Sequence, residues 1–395
     1  MSGELTYVLL VFALFVVPKV ILRFRIPTAI TELGLGAAAG VGLGLFHGDT
    51  TIALLSSFGI IALFLLAGLD VDVRALARDR FVLLQHLAIR SVLVAAGTWA
   101  AMSVAQIGWR PACLVSLALL TPSTGFILST LRSTGMTESE AAWVKAKAIA
   151  TELLALLILF GVTQSTSPLR FGLATAALAA LIFILPIAFR VFAAGVAPAA
   201  PGSEFAFLVM MAILCGYATR ALGVYYLVGA FVVGWAAGRF RDQYPAVGSD
   251  RMFHAVEVFA SFFIPFYFFS AGLHLRTHDL TLRALAVGAI FVLVAVPVRL
   301  ATVTLHRRIA LGEPFRHGLR IALSMTPTLV FCLVLAEIAR DRYDLPPRLF
   351  GGLVIYALVT TLAPVVALGI RPPSADTLGG GGAEVRVDAA PAGER

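Results

Sequence analysis

Charge is scarce in this chain. Only 13% of its 395 residues are Asp, Glu, Lys or Arg, against 59% apolar, a balance that excludes a water-soluble globule of ordinary composition. Seven of the charges fall in the last 25 positions, so the first 370 are poorer still. The connections between apolar runs rarely exceed about fifteen residues, which leaves no room for a nucleotide-binding module or other soluble enzymatic domain. Cysteine is equally sparse: Cys113, Cys215 and Cys332 each sit inside an apolar segment and form neither a disulfide framework nor a metal site, which leaves them as packing residues. The seven histidines lack metal-ligand spacing; His274 and His278 are four apart but fall in a connection. No Ser-His-Asp arrangement, phosphate loop or zinc-binding run is present, which argues against an enzyme and against a cofactor. The net charge of +8 bears on loop orientation rather than on nucleic acid.

What remains is apolar sequence in runs of membrane-spanning length. A spanning helix needs about 20 predominantly apolar residues. Thirteen spans are expected near 5–22, 28–47, 51–69, 81–105, 111–131, 142–163, 170–192, 204–221, 223–238, 256–273, 280–305, 318–338 and 349–370. The first run has no basic residue before it and is followed by Lys19, Arg23 and Arg25, the pattern of a first span with its amino end outside rather than of a cleaved signal peptide.

Basic residues in alternate connections test that count. Those after odd-numbered spans hold fourteen: Lys19, Arg23, Arg25, Arg74, Arg78, Arg80, Arg132, Arg190, Arg239, Arg241, Arg251, Arg307, Arg308 and Arg316. Those after even-numbered spans hold seven: Arg110, Arg170, Arg220, Arg276, Arg340, Arg342 and Arg348. The excess places the odd set in the cytoplasm, with the amino terminus outside and the carboxyl terminus inside. The tail 371–395 begins Arg371-Pro372-Pro373 and runs through four glycines at 379–382; it lacks the apolar content to pack and is expected to be a disordered cytoplasmic tail.

An internal repeat organises the remainder. Leu120-Thr121-Pro122-Ser123-Thr124-Gly125-Phe126 in the fifth span echoes Met325-Thr326-Pro327-Thr328-Leu329-Val330-Phe331 in the twelfth. Both Thr-Pro pairs lie mid-span and seven spans apart, so the two copies run in opposite directions. This divides residues 1–370 into approximate inverted halves, 5–163 and 204–370. Interrupted helices at corresponding sites of inverted halves mark the midplane site of a secondary transporter. Pro122 and Pro327 each remove a backbone donor, freeing polar groups that Thr121, Thr326 and an ion can satisfy. The alternative is a pair of ordinary proline kinks.

Glu152, after Thr151 and about ten residues into the sixth span, is the sharpest single residue. An ionisable group at that depth is a functional-site hypothesis by default. Burial disfavours its charged form, which makes it capable of exchanging a proton near physiological pH, and a carboxylate also suits a hard alkali cation beside hydroxyl and carbonyl oxygens. Lys145 shares a helical face with Glu152, nearly two turns away, whereas Lys147 points off by roughly 140°. Either lysine snorkels to the interface, or Lys145 pairs with Glu152. Arg299 in the eleventh span requires a counter-charge or a polar cavity if buried; Glu152 is the natural partner, and reaching the surface near Arg307 and Arg308 is the alternative. Arg90 and Glu337 lie within snorkelling reach of an interface. Asp70 and Asp72 close the third span beside Arg74, as a solvated helix-end ion pair.

Several strings together resemble the bacterial monovalent cation/proton antiporter family, which includes potassium-efflux antiporters and sodium/proton exchangers. They are Ile26-Pro27-Thr28-Ala29-Ile30-Thr31-Glu32-Leu33-Gly34 with Gly40-Val41-Gly42-Leu43-Gly44, then Leu63-Phe64-Leu65-Leu66-Ala67-Gly68-Leu69-Asp70, Leu227-Val228-Gly229-Ala230-Phe231-Val232-Val233-Gly234, and Phe262 through Leu273. Their order and spacing cover nearly the whole membrane portion. The resemblance implies an all-α polytopic fold of thirteen helices with crossed interruptions in the fifth and twelfth. It also implies a mobile core moving against a dimerisation scaffold, and hence a homodimer. Thr151-Glu152 falls where the family has an amide residue followed by Asp, and Arg299 near a membrane-embedded basic position. Glu keeps the acid chemistry but reaches one methylene farther, and Thr151 loses the amide, two departures from the family pattern that bear on ion choice.

The expectation is therefore exchange of sodium or potassium for protons by alternating access in a bacterial plasma membrane. Glu152 carries the ion or proton, Thr151, Thr121 and Thr326 lie beside it, and Arg299 and Lys145 act as electrostatic support. The alternatives are proton-coupled transport of an organic metabolite, and a nontransporting membrane enzyme or structural protein on the same scaffold.

Overall fold

The structure, a computed structural model, describes residues 3–72, 80–131, 134–165, 167–240, 250–370 and 372. Arg74, Arg78, Arg132, Arg241 and all of the tail but Pro372 lie outside the described residues, as does the side chain of Arg251. Fifteen α-helices are described: α1 Gly3–Leu22, α2 Thr28–Ala37, α3 Thr50–Leu69, α4 Arg80–Ala105, α5 Trp109–Leu120, α6 Thr124–Leu131, α7 Glu138–Gln164, α8 Pro168–Val191, α9 Glu204–Ala221, α10 Tyr226–Phe240, α11 Asp250–Leu273, α12 Leu282–Leu311, α13 Phe315–Ser324, α14 Leu329–Tyr343 and α15 Pro347–Leu368. Each of the thirteen expected spans has its helix, the fifth as α5 with α6 and the twelfth as α13 with α14. Among the described residues, ten helical segments, α5 with α6 counted as one, are long and apolar enough to cross a membrane, and the α13–α14 pair, bent by 55°, makes an eleventh. The short α2, extended by a π-turn over Ala38–Gly42, and α10 complete the set.

Span ends differ from the hydropathy reading where helices run past their apolar stretch. α7 starts four residues before the expected 142 because Thr137 caps it in a reciprocal box with Glu140, satisfying two orphan amides. α12 continues through Arg307 and Arg308 to a left-handed Gly312, a common helix stop. The second span ends short, since the chain after Gly42 leaves the helix and turns through Gly44.

The helices pack in two groups. α3 lies against α10 and α11, α2 against α11, and α9 against α10; α12 lies against α13 and α15, α4 against α5, and α14 against α5 and α15. α8 touches both α7 and α10 and turns Leu173, Phe183 and Ile187 outward, as expected of a lipid-facing helix.

Contacts within the first group occur twice. A Cβ on Gly36 of α2 would stand 2.0 Å from the Phe269 carbonyl oxygen of α11, and one on Gly234 of α10 would stand 2.1 Å from that of Leu65 on α3. In return, a Cβ on Gly272 would meet the Leu33 oxygen at 2.1 Å and one on Gly68 the Phe231 oxygen at 2.2 Å. α10 and α11 come seven spans after α2 and α3, so this is one backbone-to-backbone contact in two copies, as an inverted repeat requires. Small residues permit such approach between membrane helices.

Gly272→Ala is expected to destabilise the fold by about 1–3 kcal/mol through overpacking, read as a lower midpoint of thermal unfolding in detergent. Gly161→Ala on α7, where an added Cβ meets nothing within 4 Å, serves as the control and gains up to about 1 kcal/mol of helix propensity. Equal midpoints for the two variants would refute the tight-contact account.

Candidate functional site

Proline sets the geometry of the centre. Pro122 cannot donate to the turn before it, so α5 ends at Leu120 with Thr121 extended, and α6 restarts at Thr124. Pro327 does the same between α13 and α14, over Met325–Thr328. The two breaks meet directly: the Ser123 amide donates to the Pro327 carbonyl at 2.8 Å, and the Val330 amide donates to Ser123 Oγ at 3.0 Å. These are the crossed interruptions of the fifth and twelfth spans.

Each break leaves carbonyls at one helix end and amides at the other. Arg299 serves both carbonyl ends, donating from Nη1 to the Leu119 oxygen at 3.4 Å and from Nη2 to the Met325 oxygen at 2.7 Å. Tyr356 of α15 adds its hydroxyl to Leu119 O at 2.6 Å and accepts from Arg299 Nη1 at 3.0 Å. Arg90 of α4 reaches Leu120 O at 3.4 Å. Two cations thus sit where the broken helices are negative, and their charges act on each other. At the amide end, Glu152 Oε1 accepts from the Thr124 amide at 2.6 Å, placing a carboxylate at the positive start of α6.

Glu152 is 4% exposed and lines a cavity of about 30 Å³ together with Asp70, Ser123, Thr124, Phe126 and Phe331. The cavity lies where α3 of one packing group faces α6, α7 and α14 of the other. Its volume suits one water-sized occupant. Asp70 sits at the end of α3 and pairs with Lys145 of α7, Nζ to Oδ1 3.2 Å.

The predicted site residues separate on inspection. Glu152 and the breaks at Pro122 and Pro327 come together as expected. Thr151 is buried, but its hydroxyl donates to the Lys147 carbonyl at 2.8 Å and so accepts from His86 Nε2 at 3.0 Å. Thr326 turns its hydroxyl to Leu323 O at 2.7 Å and Thr360 O at 3.3 Å. Thr121 is buried beside the break, and neither it nor Thr326 lines the cavity.

Lys145 meets Asp70 instead of Glu152, and no ion pair joins Arg299 to Glu152 among the described residues. Two expectations of surface placement also fail. Arg90 is 2% exposed, because its mid-helix position points at the α5 terminus. Lys147 is equally buried, with Nζ 3.3 Å from Val82 O, 3.2 Å from His306 Nδ1 and over the Trp143 ring. Asp70 is a partly exposed helix-end charge as expected, but it also lines the cavity and pairs with Lys145; its expected partner Arg74 lies outside the described residues. Ser123 and Thr124, which the sequence reading passed over, touch the site more closely than the threonines it chose; their place directly after Pro122 was the available signal.

Comparison with known proteins places this geometry. The profile of the transmembrane sodium/hydrogen exchanger family matches residues 9–369. The chain belongs to that family. Membership makes it a secondary transporter rather than an enzyme. Among its relatives, Cation/H(+) antiporter 18 of Arabidopsis thaliana is 26% identical over 358 residues, an alignment covering 82% of this chain and 42% of that protein. Probable Na(+)/H(+) antiporter 3 of Methanocaldococcus jannaschii is 23% identical over 373 residues, covering 89% and 92%. The chain therefore spans under half of the plant relative and nearly all of the archaeal one. In three dimensions it resembles the sodium proton antiporter MjNhaP1 of the same archaeon, with a TM-score of 0.68 at 17% identity over 93% of this chain and 98% of that one.

Replacing Arg299 by Met removes donors from two helix ends at once and is expected to cost about 2–4 kcal/mol. Thermal unfolding in detergent measures this, with Arg299→Lys recovering only part of the loss because an ammonium lacks the planar fork that spans both carbonyls.

Proposed function

We propose that this transporter exchanges sodium or potassium for protons by alternating access, with Glu152 holding either a proton or a cation. The observation that carries this reading is a single buried carboxylate at the crossing of two broken helices, facing a cavity with room for one small occupant. An occupant that displaces the proton takes its place on the carboxylate, so one group suffices to couple the two flows. Ser123 and Thr124, which line the same cavity, supply additional oxygens, while Thr151 and Thr326 bond surrounding backbone carbonyls and Thr121 is buried beside the break. Arg299 compensates charge at a distance, through the helix ends it binds. A cavity this small favours an alkali cation over an organic metabolite.

The excess of basic residues after odd-numbered spans supports an outside amino terminus and a cytoplasmic carboxyl terminus. A multi-pass protein of this kind resides in the bacterial plasma membrane and works as a homodimer in this reading. The halves 5–163 and 204–370 are the units that the inverted repeat relates.

The test follows internal pH in proteoliposomes under an imposed proton gradient, with sodium and potassium varied outside. Wild-type protein is expected to show cation-dependent proton flux, and Glu152→Gln to lose at least about tenfold of it. Competition sets a second signature. Where Glu152 is largely protonated, each unit fall in pH raises the half-saturating cation concentration about tenfold. Flux that ignores the cation, or that survives in Glu152→Gln, would remove the shared-site mechanism.

A further inference from the structure

We propose that Lys145 is a tethered cation that closes the mouth of the Glu152 cavity by occupying Asp70, and that a transported cation enters by displacing it. This rests on the reading of Glu152 as the ion carrier and adds a group that sets how readily the ion reaches it.

Asp70 stands in an unfavourable place for a carboxylate. It follows the last turn of α3, where the helix presents its carbonyls and negative end, and it lines the same cavity as a second carboxylate, Glu152. Nothing in the capping of α3 calls for an acid there, since Asp70 closes the helix through its backbone amide alone. Two acids on one small cavity repel each other unless a cation lies between them or beside one of them. Lys145 supplies that cation, with Nζ 3.2 Å from Asp70 Oδ1.

The three side chains are graded by depth: Lys145 is 38% exposed, Asp70 24% and Glu152 4%. Lys145 and Glu152 share a face of α7 seven residues apart, about 10 Å along the axis. The ion pair therefore lies at the more exposed part of the cavity lining, toward the amino end of α7 from Glu152. An ammonium on a flexible four-carbon stem can swing into water and be rehydrated there, and a pair this exposed is held weakly. A small cation arriving at ordinary concentrations can take its place on Asp70 and pass inward. Lys147, two residues on, is the contrast: buried and fixed against Val82, His306 and Trp143, it has no such freedom.

The experiment compares wild-type protein, Lys145→Gln, Lys145→Arg, Asp70→Asn and the Lys145→Gln/Asp70→Asn double variant, all full-length. Two readouts are taken: the half-saturating sodium and potassium concentrations of proton flux in proteoliposomes, and the shift in thermal midpoint that each cation produces in detergent. Removing the tethered charge is expected to lower the half-saturating concentration about twofold to fivefold, and Lys145→Arg to return it toward the wild-type value. Asp70→Asn should raise it and abolish the effect of Lys145→Gln in the double variant, because the two side chains act as one unit. A lower thermal midpoint in Lys145→Gln with an unchanged half-saturating concentration would make the pair a simple tie between α3 and α7, and the proposal would fall while Glu152 kept its role. If the wild-type protein shows neither cation-dependent flux nor a cation-dependent thermal shift, the carrier reading falls and takes this proposal with it.

Discussion

Backbone polarity in hydrocarbon is the constraint on which this molecule turns. A helix satisfies its own amides and carbonyls, and a break releases them where no water is at hand. Two breaks at the centre of one bundle would be ruinous unless every released group found a partner. The chain meets that demand with a small set of side chains drawn from distant positions: Arg299, Arg90 and Tyr356 for the carbonyls, Ser123 for an amide of the opposite break, and Glu152 for the amide that begins α6. The carboxylate that exchanges ions in the proposed mechanism is thus also part of the structural solution. Its burial, its partner and its cavity all follow from the discontinuity beside it.

The position of that cavity follows from how the helices are sorted. One group is drawn together by glycines so close that a methyl group would collide with the facing carbonyl, while the other is organised around the crossing. Glu152 and Asp70 belong to different groups and look into the same space. The site is consequently lined by α3 on one side of a seam and by the crossing and Glu152 on the other.

Much of this was legible in the chain before any coordinates. The span count, the two interrupted helices and the prominence of Glu152 all rest on local signals: apolar run length, a Thr-Pro pair in mid-span, an acid where acids are expensive. Partners were not legible. Lys145 lies on the face of Glu152 by helical period, and the sequence cannot reveal that Asp70, brought over by α3, lies nearer. Arg90 differs from expectation for the same reason, since distance from a span end suggests snorkelling when the helix terminus it serves is invisible in one dimension. Thr151 and Thr326 stand out in the sequence for their hydroxyls, and backbone carbonyls claim both. Ser123 and Thr124 owe their importance to the break itself, which frees an amide and turns a side chain where a continuous helix would have consumed them.

The guanidinium of Arg299 has a mechanical meaning beyond the carbonyls it satisfies. One planar group grips the last turn of α5 and the last turn of α13, and a tyrosine from α15 braces it from behind. A rivet of that kind does not stretch: sliding one discontinuity past the other would strip both carbonyls in a single movement. The crossing is therefore braced as one unit, and the cavity lies not within it but at its seam with α3.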